Sequence, residues 1–171
     1  MKILLCLLII LQCPVMIDAG GDEYLYQKAV RLAKNHQPDF AYMQYRAILN
    51  DYPDSTYLSR ALFANGEYCY QVADYKAAQD FFTRYLIQAD QGENRLFALV
   101  YLREIARQEN DVQQEAEYKK EVLSYRKQTF LFEKNKAQVY RSPLEHEYKA
   151  VYEIDGISVY MEGKLFATIN Y

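Results

Sequence analysis

The sequence predicts a mainly α-helical chain, a solenoid of helix pairs followed by a small antiparallel β-meander, and three observations predict it. Ala41, Ala78 and Ala116 recur 37 and 38 residues apart, and the first two open the same pattern, Ala-x3-aromatic, completed by Tyr45 and Phe82. From Asp22 to about Arg126 apolar residues return every three or four positions, the period of amphipathic helices. After Pro143 the chain turns to β-branched and aromatic runs separated by Asp155-Gly156 and Glu162-Gly163, residue pairs that favour hairpin turns. Repeats of this length are helix pairs that cannot bury their apolar faces alone and do so by stacking.

The amino terminus reads as an export signal. Met1-Lys2 precedes an apolar run from Ile3 to Ile17, interrupted by Gln12 and Pro14 and followed by Asp18-Ala19-Gly20-Gly21. At about 15 residues the run is shorter than the roughly 20 a spanning helix needs, and small residues follow it, so residues 1–19 are expected to be a signal peptide cut after Ala19. Lipid attachment at Cys13 is the competing reading, and it would make the protein an outer-membrane lipoprotein. Gln12 and Pro14 on either side of that cysteine speak against it. The expected location is periplasmic or secreted, with no membrane span in the mature chain.

Removal of the signal takes away Lys2 and Asp18 and leaves the net charge at −3. Nucleic-acid partners need clustered excess Lys and Arg, which this balance does not supply. Cys69 becomes the one thiol of the mature chain, and its mid-helix setting between Tyr68 and Tyr70 marks it as a small buried hydrophobe.

Three helix pairs are expected: Glu23–Asn35 with Phe40–Asp51, Thr56–Val72 with Tyr75–Ala89, and Asn94–Gln108 with Val112–Arg126. Pro38 starts the second helix after a turn, and Ser55 and Asp74 are placed to cap the helices that follow them. Residues 128–140 read as a further helix capping the array, so that the helical unit spans 22–140 and the meander 141–171. Tyr148–Ile154, Ile157–Met161 and Lys164–Asn170 are its three strands. Such a sheet must pack on the last helices or on a partner.

The middle repeat carries Leu62-x2-Asn65-Gly66-x2-Cys69, then Tyr75, then Ala78-x3-Phe82, and the first carries Ala41-x3-Tyr45 with Pro53 closing it. These residues resemble the tetratricopeptide repeats, in which a small residue sits where two helices cross and an aromatic fills the space one turn on. Leu62 stands in place of the usual Trp, Lys28-Ala29 in place of Leu-Gly, and Asp90 in place of Pro, while the third repeat keeps only Ala116 and the spacing. The long repeats and the stretch Tyr52-Pro53-Asp54-Ser55 are similar to those of BamD-like outer-membrane assembly factors and YbgF-like periplasmic coordinators. The resemblance implies a non-enzymatic adaptor binding another envelope protein or peptide through the face formed by the first helix of each pair. Carried over to this sequence, that face offers Tyr26, Val30 and Lys34, then Arg60, Phe63, Glu67, Tyr70 and Gln71, with Tyr101 from the third repeat. Tyr and Arg are the residues that most often anchor interfaces. The alternative class is an accessory subunit of an envelope enzyme or secretion complex, in which the β-segment makes the specific contact.

No catalytic residue, cofactor or metal is expected. No Gly-rich phosphate loop or Cys/His pair appears, and the triplet Glu145-His146-Glu147 reads as a solvated loop because neighbouring side chains there point apart. Glu115, Glu117, Lys119, Lys120 and Glu121 read as a solvated helix face.

Overall fold

The computed structural model describes residues 20–89, 94–132 and 137–171, with side chains in the second stretch described to residue 125. The expected signal peptide and Cys13 lie outside these residues. Among the described residues six helices follow one another: α1 (Gly21–Lys34), α2 (Pro38–Asp51), α3 (Leu58–Gln71), α4 (Tyr75–Gln88), α5 (Arg95–Gln108) and α6 (Val112–Phe132). Four strands then form one antiparallel sheet in chain order: β1 (Ala137–Arg141), β2 (Glu147–Tyr152), β3 (Gly156–Met161) and β4 (Lys164–Asn170). This is the mainly α repeat with a small β-meander that the sequence predicts.

The repeat is more regular than the alanines suggest. Gly21, Leu58 and Arg95 start the first helices and Pro38, Tyr75 and Val112 the second ones, each 37 residues apart. The turn inside each pair repeats as well. His36, Ala73 and Asn110 take positive φ of 56°, 62° and 59°. The amide after each then reaches back to the last turn of its helix, Gln37 to Leu32, Asp74 to Cys69 and Asp111 to Ala106, which satisfies a carbonyl the helix leaves open. Asp74 caps α4 by accepting from Ala77 N, as expected. Ser55 does not cap a helix; its hydroxyl accepts from Tyr57 N and donates to Asp22, and α3 begins only at Leu58.

A strict 37-residue period aligns Ala29 with Gly66 and Arg103, and Ala41 with Ala78 and Glu115. Ala29, Ala41 and Ala78 are fully buried, whereas Ala116 is exposed. The third member of the alanine series is therefore displaced by one residue from the crossing. There an ion pair stands instead: Arg103 Nη2 lies 3.0 Å from Glu115 Oε1, and Arg103 Nη1 lies 2.6 Å from Glu104 Oε1. Glu115 is thus not part of a solvated face, and Glu121 pairs with Arg95 at 3.2 Å.

The last four residues of the expected capping helix, 137–140, are strand. α6 runs on to Phe132, and Ala137–Arg141 pairs with β2 from Ala137↔Val151 to Arg141↔Glu147. Gln138-Val139-Tyr140 alternates inward and outward, and that period-2 signal was hidden by its brevity. The sheet shares one core with the helices. Tyr148, Ala150, Tyr152, Ile157, Val159, Ala167 and Ile169 belong to the same buried cluster as Leu62, Phe63, Phe82, Phe97, Tyr101 and Val122.

Candidate functional site

The face formed by α1, α3 and α5 is covered by the chain's own carboxy-terminal segment. Helical spacing aligns Arg60, Phe63, Glu67 and Tyr70 along α3, and the segment meets them in order. Tyr140 of β1 packs edge-on against Phe63 with ring centroids 5.3 Å apart, and Tyr148 of β2 reaches the same ring at 6.4 Å. Phe166 of β4 lies 5.9 Å from Tyr70 and 5.0 Å from Tyr101. The loop before β2 covers the first repeat: Leu144 is buried against Ala29, Ala33, Ala41 and Tyr45, and Tyr45 OH donates to Pro143 O at 2.9 Å.

A buried polar chain ties sheet to helices. Glu67, fully buried in α3, accepts through Oε1 from His146 Nδ1 at 2.7 Å and from Tyr148 OH. Because the Tyr148 proton is committed to Glu67, Tyr101 OH donates to Tyr148 OH, 2.6 Å away. Burial pushes both phenols well above their ordinary pKa, so they remain protonated donors. His146 is held above its ordinary value, chiefly by its hydrogen bond to Glu67 and against the effect of its own burial. Glu67 Oε2 and Asn65 Oδ1 are buried without a hydrogen-bond partner.

Much of the face that the resemblance implied is closed. Phe63, Glu67 and Tyr101 are fully buried beneath the sheet, because a third aromatic layer, Tyr140, Tyr148 and Phe166, fills the space a partner was expected to take. Tyr70 is half-buried and packed against Phe166. Tyr26, Lys34 and Arg60 stay at the surface, Tyr26 half-buried and the other two exposed. Tyr26 stacks on Tyr57 at 4.2 Å, and Arg60 lies 5.5 Å over Tyr26 while donating to its hydroxyl at 2.9 Å.

His146 and Tyr148 are the residues that sequence reasoning missed. Glu145-His146-Glu147 is no solvated loop as a whole: the imidazole turns inward to the Glu67 carboxylate, while Glu147 faces out to Arg141 at 3.1 Å. A signal was present in Glu67 itself. A carboxylate directly after Leu62-Phe63-Ala64-Asn65-Gly66 on a buried helix requires a donor, and the chain holds only two histidines.

Within the polar chain Glu67 Oε1, Tyr148 and Tyr101 are engaged with one another and with His146, while Glu67 Oε2 is left over. Among the described residues no group of three or more His, Cys, Asp or Glu could hold a metal ion. On the outer side a cleft of about 360 Å³ between α2 and α4 is lined by Arg46, Asp74, Asp80 and Arg84. Its charges are also engaged, Arg84 with Asp80 at 3.4 Å and Asp74 as the α4 cap. No helix among the described residues is long and apolar enough to cross a membrane. No protein-family model matches the chain, and no curated protein matches it significantly.

Proposed function

We propose that this protein is a non-enzymatic adaptor of the bacterial cell envelope, a tetratricopeptide-like array whose binding face is closed by its own sheet. The observation that carries the reading is the division of that face: Phe63, Glu67 and Tyr101 are sealed, and Tyr26, Tyr57 and Arg60 are left as an aromatic and cationic platform at its rim. Opening the sealed part would expose Tyr148, Tyr152, Ile157, Val159 and Ile169, each worth roughly 1.5–3 kcal/mol of burial. The total, on the order of 10 kcal/mol, rivals the whole stability of a domain. A partner therefore binds at the rim and on the sheet rather than by displacing it. This brings the reading close to the second functional class, in which the β-segment makes the specific contact.

The test is site-specific photocrosslinking of the exported full chain in its native envelope, with the crosslinking residue placed at Lys34, Val139 or Thr83. One reproducible adduct from Lys34 or Val139, absent at Thr83 on the outer side of α4, supports the reading. Adducts from Thr83 alone, or from none of the three, overturn it.

A further inference from the structure

Among the described residues no strand pairs with the outer edge of β1, next to the rim platform. In chain order β1 lies outermost, and Ala137, Val139 and Arg141 expose their side chains along it. Ser142 N donates to His146 O and Glu162 N to Glu147 O, both at 2.9 Å. The alternation of an antiparallel ladder then directs the even-numbered residues of β1 to β2 and leaves the N–H and C=O of Val139 pointing away from the sheet.

The strands cross α3 in sequence, β1 at Phe63, β2 at Phe63 and Glu67, β4 at Tyr70. Arg60 is three residues before Phe63, about 4.5 Å along the helix axis, and neighbouring strands are about 4.8 Å apart. A strand added outside β1 would therefore lie over Arg60. Its guanidinium stacks on Tyr26, is exposed, and among the described residues has no carboxylate within 4.0 Å.

We propose that the outer edge of β1 is a strand-docking site for an extended acidic segment of a partner protein, with Arg60 as its charge anchor. This rests on the adaptor reading and names the partner's chemistry. Backbone hydrogen bonds to Val139 supply the pairing, and a carboxylate on the inward face of the added strand meets Arg60 over the Tyr26 and Tyr57 rings. A second copy of this chain docking edge to edge would bring Arg60 up against Arg60, which like-charge repulsion opposes.

The test uses the full exported chain, isotope-labelled, titrated with a blocked seven-residue peptide of alternating valine and glutamate and with its lysine counterpart. The expected result is shift changes and exchange protection at Ala137, Val139 and Arg141 with the glutamate peptide only. Arg60→Glu should weaken binding at least tenfold. Val139→Pro, which removes an outward-facing N–H and spares the ladder to β2, should abolish binding without changing the spectrum of the helices. No binding at millimolar peptide, equal binding by the lysine peptide or by Arg60→Glu, or protection centred on β4 would each overturn the proposal. The same shifts appearing with protein concentration and no peptide would replace the partner by a second copy and overturn it too. A crosslink from Lys34 in the envelope that persists when the peptide fails would leave the adaptor reading standing without the β1 edge.

Discussion

His146 Nδ1 lies 2.7 Å from Glu67 Oε1, joining the loop before β2 to the middle of α3 across 79 residues of sequence. Glu67 has no exposure, and among the described residues His146 is the partner that can bring it a positive charge. The imidazole pKa is raised above its ordinary 6.5 in the folded state. A raised folded value gives stabilisation that is fully present below pH 6.5 and is lost as pH rises through the folded pKa. The urea midpoint should therefore fall across that window on the alkaline side of 6.5. Glu67→Gln, which keeps an acceptor but removes the charge, should flatten the dependence. An unchanged slope in that variant would show that another group titrates.

Gly66 sits at the crossing of α3 and α4, and a Cβ there would meet three atoms of the Phe82 ring at 3.0 Å. Alanine favours a helix over glycine by about 1 kcal/mol, so the sign of Gly66→Ala depends on whether Phe82 can move. It is fully buried and stacked on Tyr101 at 4.7 Å, so it cannot move freely. The substitution should destabilise by about 1 kcal/mol or more, and Gly66→Ala with Phe82→Leu should recover part of the loss relative to Phe82→Leu alone. Chemical denaturation of the three variants decides it.

The repeat, its turns and its small crossing residues were legible because each is imposed locally: a short αL turn, a backbone approach, a 3.6-residue period. Ala41 and Ala78 carried that information, and Ala116 misled because chance put an alanine one position from the place that Glu115 takes. The sheet was legible as far as its turns, Glu162 and Gly163 both having positive φ. Its docking was not, since nothing local in Tyr140, His146 or Tyr148 says which helix each will meet. Of the residues drawn from the resemblance, Phe63, Glu67 and Tyr101 are covered by the sheet while Tyr26, Lys34 and Arg60 stay at the surface, because sequence gives the face of a helix but not what covers it.

Ala73 holds a φ of 62°, a conformation in which its Cβ crowds the backbone. Ala73→Gly should relieve that strain and stabilise the protein by about 0.5–1 kcal/mol after the entropy of the unfolded glycine is subtracted. Thermal unfolding would register it as a rise of a few degrees. A fall would mean that the turn is held by something other than its backbone.

The third crossing should behave differently from the first two. Arg103 is nearly buried and its Nε has no partner, so Glu115 and Glu104 compensate its charge between them. Glu115→Ala should cost about 1–3 kcal/mol by leaving that compensation incomplete. Replacing both, Arg103→Leu with Glu115→Ala, should not recover the wild-type value, because Glu104 would keep only Arg107 at 3.2 Å. Burial already raises the Glu104 pKa, and loss of Arg103 should raise it further, so that the cost of the charged carboxylate is borne above that pKa and relieved as pH falls through it. A double variant as stable as the parent would indicate that the ion pair contributes nothing net.

Deletion of residues 142–171 tests whether the sheet is an attachment or part of the core. If it were an attachment, the helices would keep their circular dichroism and a cooperative transition. Phe63, Phe97 and Tyr101, however, pack against Tyr148, and Glu67 would lose both of its donors in a dry site. Removing roughly 10 kcal/mol of apolar burial from a domain of ordinary stability leaves nothing to hold the array together. The expected outcome is a chain with reduced helicity and a broad, non-cooperative melt. Tyr148→Phe in the full protein supplies the graded measurement: it keeps the ring contacts, strands one acceptor position on Glu67, and should cost about 1–2 kcal/mol with cooperativity intact. A sharp melt after the deletion, with helicity preserved, would return the α1, α3 and α5 face to the list of open binding surfaces.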